Sequence, residues 1–212
     1  MENRDTYGKV LLLCGSPHEC GSTYRALCEV MTTLEGEGIE CELIQVGKEA
    51  VSGCIGCYAC GKLGKCAIND IVNVLAEKLK DADGIIIGSP VHYAAPSGNL
   101  ISILDRLFYS SRFDKSMKVG AAVVSARRSG TTAAYDVLNK YFTISGMPVV
   151  PSTYWNNVHG NNAAETEGDE EGLQTMRALG RNTAFLIKSI KLGLSEYGLP
   201  PREKKIRTNF IK

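Results

Sequence analysis

Residues 54–66 read CIGCYACGKLGKC and place four thiols, Cys54, Cys57, Cys60 and Cys66, within thirteen positions. Thiols this close can form a disulfide knot, clamp zinc, hold an iron–sulfur cluster, or do nothing beyond packing. The start, MENRDTYGKV, lacks the apolar h-region of a signal peptide. The expected compartment is therefore the reducing cytoplasm, where structural disulfides are rare and clustered cysteines serve metals or redox chemistry. Cys14, Cys20, Cys28 and Cys41 lie apart from the cluster and are read as small buried hydrophobes.

Four other stretches carry groups able to hold a ligand. GSPHECGST (15–23) offers hydroxyls at Ser16, Ser22 and Thr23, and a helix begins at its end. Helix N-terminal amides with hydroxyls beside them favour a phosphate. The chain has neither G-x-x-x-x-G-K-[ST] nor G-x-G-x-x-G, which argues against an ATP-hydrolysing loop and a dinucleotide pyrophosphate. Neutral donors suit a monophosphate such as that of FMN, and an ordinary capped turn is the alternative. SPVHYAAPSGNL (89–100) is a stiff loop whose His92 and Tyr93 could border a flat ring. In SARRSG (125–130), Arg127 or Arg128 could stabilise negative charge on such a ring, or simply face solvent. TYWNNVHG (153–160) holds the only Trp, Trp155, beside Tyr154, Asn156 and His159; a ligand, a neighbouring subunit or its own loop would cover it.

The elements that must position these loops alternate. KVLLLC (9–14), IECELIQV (39–46), GIIIGSP (84–90), VGAAVVSA (119–126) and MPVVPSTY (147–154) read as strands. Helices are expected from Ser22 to about residue 35, from Asn69 or Asp70 to Lys80, and over 97–111, 130–145 and 169–191. The cysteine segment is read as a loop. Near-continuous apolar strands require burial on both faces, hence a parallel sheet between helical layers. Five such units predict an α/β flavodoxin-like three-layer sandwich with strand order 2-1-3-4-5 and ligands beyond the carboxyl ends of the strands. The expected domain covers 1–192, with the cysteine-rich loop inserted at 47–69 and a C-terminal tail, 193–212, carrying Arg202, Lys204, Lys205 and Arg207. A formal net charge of +1 provides no global field for nucleic acid, and no apolar run reaches the roughly 20 residues of a membrane span.

With these loops in order, the chain resembles the NAD(P)H-dependent FMN reductase superfamily of flavodoxin-like proteins, and is especially similar to its iron–sulfur flavoprotein branch. The segments carrying the resemblance are GSPHECGST, GSPVHYAAPSGNLISILDR, SARRSG, MPVVPSTYWNNVHG and EGLQTMRALGRN. It implies that Ser16, His18, Ser22 and Thr23 hold an FMN phosphate. Pro90, Val91, His92 and Tyr93 would border the isoalloxazine, and Ser125 to Gly130, with Arg127 and Arg128, would meet its other edge. His18 stands where many relatives have Arg, and Ile101 where they have Lys. The cysteine spacing resembles the family's compact motif, which implies a 4Fe–4S cluster on Cys54, Cys57, Cys60 and Cys66. The physical reading agrees: close C-x2-C-x2-C spacing wraps three corners of a cubane with one loop, whereas zinc usually takes two separated knuckles. Zinc and unmetallated thiols stay open.

The implied activity is FMN-dependent NAD(P)H oxidation with electrons passed to a small acceptor such as a quinone or oxygen species. The alternative is an electron carrier fed by ferredoxin through the cluster to FMN, and a third possibility is a non-enzymatic flavin sensor. The resemblance also implies a homodimer or homotetramer in which the cysteine loop approaches a neighbour's flavin. No side-chain acid or base is assigned.

Overall fold

The computed structural model describes residues 6–204 and 206–210. The first five residues of the stretch read above for an apolar leader, and Lys205 of the basic tail, lie outside the described residues.

The elements follow in chain order. β1 (Gly8–Cys14) leads through the 15–21 loop into α1 (Ser22–Gly36), and β2 (Ile39–Gln45) returns. The cysteine segment is mostly irregular but contains one short helical turn, α2 (Cys60–Leu63), where a plain loop is expected. Gly64, at φ 70°, ends that turn. α3 (Ile71–Asp81) starts where Asp70 accepts a hydrogen bond from the Val72 amide. β3 (Gly84–His92) turns back on itself into the two-residue β4 (Ala95–Pro96), and α4 (Gly98–Ser110) follows with Ser97 as its cap. β5 (Val119–Ala126), α5 (Thr131–Ile144), β6 (Asn157–His159), α6 (Ala163–Glu167) and α7 (Glu170–Tyr197) complete the chain. α7 ends six residues beyond the expected 191, because no Gly or Pro interrupts it decisively before Gly198.

The sheet order is β2-β1-β3-β5-β6, all parallel, with β4 paired antiparallel to β3. Numbered among themselves, the parallel strands run 2-1-3-4-5, as expected. Successive residues of a strand point to opposite faces, so β1 splits between two cores. Leu11 and Leu13 pack with Leu75, Leu79, Ile103, Leu107 and Phe142 of α3, α4 and α5. Val10 and Leu12 pack with Leu27, Val30, Leu34, Met176 and Leu179 of α1 and α7. Among the described residues no helix is long and apolar enough to cross a membrane.

The fifth strand departs from its expected place. Residues 147–154 make only an isolated parallel bridge, Gly120 with Val149, and the ladder resumes at β6 opposite Val124–Ala126. Pro148 and Pro151 lack the N–H groups that a continuous ladder needs. Buried Asn156 spans the gap: its carbonyl accepts from the Val124 amide at 2.9 Å, and its Nδ2 donates to the Ala122 carbonyl at 3.0 Å.

Within the stiff loop expected over 89–100, residues 91–96 form a tight hairpin. His92 pairs with Ala95, and the two residues between them, Tyr93 and Ala94, have φ of 50° and 59°. Two successive positive φ values mark a type I′ turn, which prefers Asn-Gly and strains residues bearing larger side chains. Replacing Tyr93→Asn together with Ala94→Gly should stabilise the fold by about 1–2 kcal/mol, measured as a raised urea midpoint with unchanged m.

Candidate functional site

The carboxyl ends of β1, β3 and β5 open on a cleft of about 660 Å³. Its floor is hydroxyl-rich. Ser16, Ser22, Thr23 and Ser125 line it and are all buried. Thr23 Oγ1 and Ser125 Oγ lie 2.7 Å apart, which ties the head of α1 to the end of β5. Ser22 Oγ donates to the Gly160 carbonyl at 3.0 Å. At the head of α1, Arg25 N–H makes the first helical bond, to the Gly21 carbonyl, and no side chain caps the amides before it. No acidic residue sits in the first turn. Ser22 commits its proton to Gly160, but the amides, the helix dipole, the Ser16 hydroxyl and whichever of Thr23 and Ser125 does not donate to the other leave donors at the head of α1, an arrangement that a phosphate monoester fits.

The 15–21 loop is held in shape from below. Ser16 Oγ accepts from the His18 amide at 3.1 Å, and Gln45 Nε2 donates to the carbonyls of Ser16 and His18 at 3.1 and 2.8 Å. Gly47 lies so close beneath that a Cβ there would stand 2.1 Å from the Ser16 carbonyl oxygen. Lys48 also borders the cleft, but its ammonium pairs with Glu19 at 2.6 Å and both side chains are exposed.

Nine of the expected cofactor residues come together in this cleft: Ser16, His18, Ser22, Thr23, Pro90, Val91, His92, Ser125 and Arg127. Tyr93, Arg128 and Gly130 do not line it. Tyr93 stands fully exposed at the hairpin tip, because the turn directs it away from the sheet. Arg128 is exposed beyond the last residue of β5. Gly130, at φ 93°, packs against Val91 and Ala94, so it supports the hairpin from behind. Trp155 and Tyr154 stack edge to face at 5.0 Å over a separate cavity of about 230 Å³ shared with His159 and Asp169. Gly160, at the end of the 153–160 stretch, and Asn161 and Asn162 just beyond it complete the cleft; the two asparagines carry no signal in the sequence, because their types are those of an ordinary turn. Cys20, expected to be packed, is exposed on the cleft wall, whereas burial pushes the Cys14 thiol up to about 11 and that of Cys41 up to about 12.

On the far side of the 47–53 segment, Cys54, Cys57, Cys60 and Cys66 all line one small cavity with Ile68, Arg106, Tyr109 and Ser110. None of the eight cysteines forms a disulfide. Arg106 is buried and organises the site. Its guanidinium donates to Cys66 Sγ from Nε and Nη2 at 3.3 Å each, to both Asp70 carboxylate oxygens at 2.7 and 2.9 Å, and to the carbonyls of Ser52 and Ile68. It thereby clasps both ends of the cysteine loop. Arg112 Nη2 reaches Cys60 Sγ at 3.7 Å. Among the described residues no three His, Cys, Asp or Glu side chains converge on a point that would hold a single metal ion.

Burial works against the Asp70 charge, yet hydrogen bonds from Arg106 and the Val72 amide hold its pKa below the usual carboxylate value. A depressed folded pKa means that the stabilisation is present above the unfolded pKa of about 3.9 and is lost as pH falls through the lower folded value. Urea midpoints taken between pH 7 and pH 3 should therefore fall more steeply for the unaltered chain than for Asp70→Asn, which should start lower at pH 7.

The family model described as NADPH-dependent FMN reductase matches residues 8–162. The chain belongs to the NADPH-dependent FMN reductase family. Its similarity to curated relatives places it in the iron–sulfur flavoprotein branch of these reductases. It is 35% identical over 195 residues to an iron–sulfur flavoprotein of Methanocaldococcus jannaschii, covering 86% of this chain and 99% of that one. An iron–sulfur flavoprotein of Methanosarcina thermophila is 27% identical over 188 residues, with 86% and 97% covered. Solved structures share the fold. RosB bound to 8-demethyl-8-formylriboflavin-5′-phosphate superposes with TM-score 0.70 at 18% identity, covering 96% of this chain and 92% of that one. An NAD(P)H:quinone oxidoreductase of Methanothermobacter marburgensis gives 0.65 at 16%, covering 82% and 95%.

As an FMN reductase family member the chain is a flavoprotein oxidoreductase, and its cleft fits the cofactor. The uncapped head of α1 and the buried hydroxyls match the phosphate, and the half-buried Pro90 and Val91 provide an apolar border. The cysteine cavity is small, about 30 Å³, but its lining suits a sulfur-rich guest: four thiols border it, arginine donors reach two of them, and the buried hydroxyl of Ser110 on its wall has no partner among the described residues. Ile101 is half-buried against the core.

Proposed function

We propose that this chain is an iron–sulfur flavoprotein oxidoreductase that holds FMN in the cleft and a 4Fe–4S cluster on Cys54, Cys57, Cys60 and Cys66. Electrons pass between the two sites and out to a small acceptor such as a quinone or oxygen species. The observation that carries this reading is the placement of both sites on one short segment. Lys48 borders the cleft and Cys54, six residues on, borders the cysteine cavity, a reach of at most about 22 Å. FMN, when bound, supplies both hydride and single-electron chemistry, and the cluster supplies single-electron chemistry alone.

The protein's own part is position and charge. The α1 amides and the hydroxyls of Ser16, Ser22 and Thr23 hold the phosphate. Pro90, Val91 and His92 border the ring and keep water from one side of it. Arg127, at the end of β5, offers positive charge where reduction builds negative charge. Arg106 holds the cysteine loop closed and places Cys66. The exposed aromatics Tyr93, Tyr154 and Trp155 are assigned to contacts between copies in a homodimer or homotetramer. The free thiols suit a reducing compartment, the cytoplasm.

A second reading, direct use of NAD(P)H at the flavin, is favoured by the family to which the chain belongs and by the breadth of the cleft. Anaerobic purification followed by iron, sulfide, zinc and flavin assays tests the cofactor content. Mixing with NADH, NADPH or reduced ferredoxin then separates the donors. Bleaching of the blue-violet cluster band by ferredoxin, ahead of flavin reduction, supports the first reading. Rapid NADPH oxidation by cluster-free protein supports the second. Stoichiometric zinc with no iron sinks the cluster, and failure to take up FMN sinks both readings.

A further inference from the structure

The Ser110 hydroxyl is the unusual polar atom of the cysteine cavity. Ser110 is 3% exposed, borders that cavity, and its Oγ has no hydrogen-bond partner among the described residues. Leaving a buried hydroxyl unsatisfied is costly, because the group gives up its bond to water and gains none in return. A helical serine has an easy local remedy, a bond back to the carbonyl four residues earlier. Other serines on this stretch take it: Ser102 Oγ donates to the Gly98 carbonyl at 3.1 Å, and Ser111 Oγ to the Leu107 carbonyl at 2.5 Å. Ser110 does not.

Its neighbours share a bias. Arg106 donates twice to Cys66 Sγ, and Arg112 donates to Cys60 Sγ. All three donors come from the last five residues of α4 and the two residues after it. Among the described residues no carboxylate borders the cavity. Beside the apolar Ile55, Ala67 and Ile68, the polar part of this wall is sulfur, the Arg106 donors on sulfur, and the Ser110 hydroxyl with no acceptor among the described residues.

We propose that Ser110 donates its hydroxyl hydrogen bond to a sulfur atom of the cluster held by the four cysteines, and that with Arg106 and Arg112 it raises the reduction potential of that cluster. The proposal rests on the cluster reading given above. Adding one electron increases the negative charge on the sulfur atoms, so each donor interacts more strongly with the reduced form and favours it. A single hydrogen bond of this kind shifts the ratio of reduced to oxidised cluster about three- to tenfold, equal to about 30–60 mV for a one-electron couple.

The test compares the unaltered chain, Ser110→Ala and Ser110→Thr, each reconstituted anaerobically with iron and sulfide. Midpoint potentials are read by spectroelectrochemistry, and the metal-free proteins are unfolded in urea. The expected result has two parts. The Ala variant loses three- to tenfold in the ratio of reduced to oxidised cluster at fixed potential, and Thr, which keeps the hydroxyl, restores it. The metal-free Ala variant is as stable as the unaltered chain or more so, because it sheds an unsatisfied group. Loaded Ala protein with an unchanged potential overturns the donor role and leaves the cluster intact as a reading. A metal-free Ala variant that is clearly less stable also overturns it, because the hydroxyl then serves the fold itself. An unaltered chain that takes up neither iron nor sulfide overturns this inference and the cluster reading together.

Discussion

Gly47→Ala should weaken FMN binding about a hundredfold or more. The added methyl would stand 2.1 Å from the Ser16 carbonyl oxygen, 2.2 Å from its carbon and 2.7 Å from the Pro17 nitrogen. These are backbone atoms, so no side-chain rotation relieves the clash. Either the 15–21 loop lifts or the segment after β2 drops. Both movements break the Gln45 bonds to the carbonyls of Ser16 and His18, the fixed points of the loop. Losing two hydrogen bonds to a charged phosphate removes about 3 kcal/mol or more, which is two decades of affinity. Fluorescence titration of FMN into the variant measures the loss, and urea unfolding in parallel shows whether the fold persists. A variant that folds and binds FMN as tightly as the unaltered chain would place the phosphate elsewhere.

The second large effect is expected at Arg106. Burial disfavours its charge, but Asp70 and Cys66 hold its pKa above the ordinary arginine value. Arg106→Met keeps most of the side-chain volume and removes every one of those bonds. Asp70 loses its bidentate partner, and the carbonyls of Ser52 and Ile68 lose their donor. Breaking one side of a buried pair costs about 3–5 kcal/mol, and the lower end applies here because Asp70 is partly exposed. Adding Asp70→Asn to Arg106→Met should recover part of the loss, since the stranded charge is then gone. Chemical denaturation of the two single variants and the double variant gives the coupling. Additive single effects would show that the pair does not act as a unit. Iron uptake should fall in Arg106→Met as well, because the loop that carries the cysteines loses its clasp.

Much of this architecture is legible in the chain because burial leaves a periodic mark. The runs KVLLLC, GIIIGSP and VGAAVVSA become the three central strands, and the stripe of Leu27, Val30 and Leu34 becomes the buried face of α1. The hydroxyls of the phosphate loop are legible for a similar reason: they follow a strand and open a helix. The last strand is hard to place from the chain because its apolar residues, MPVV, sit beside prolines that spoil pairing, while the ladder forms on the less apolar Asn157–His159. The hairpin at Tyr93 was hidden because its turn uses Tyr-Ala where Asn-Gly would announce it. Arg106 did leave a signal. It interrupts the apolar stripe of Leu100, Ile103, Leu104 and Leu107, and a cation among buried residues requires a partner. What the chain could not reveal is that the partner would be a cysteine loop forty residues earlier. Ser110 leaves no mark in the sequence at all, since only tertiary packing makes its hydroxyl solitary.

The claim on which the rest depends is that the uncapped head of α1 grips the phosphate of FMN. Titrating the flavin-free protein with FMN and with riboflavin, which differ only in that phosphate, tests it most directly. FMN should bind at least a hundredfold more tightly, and the gap should shrink when Thr23→Val and Ser16→Ala remove hydroxyls from the floor of the cleft. Equal affinity for the two flavins would contradict it.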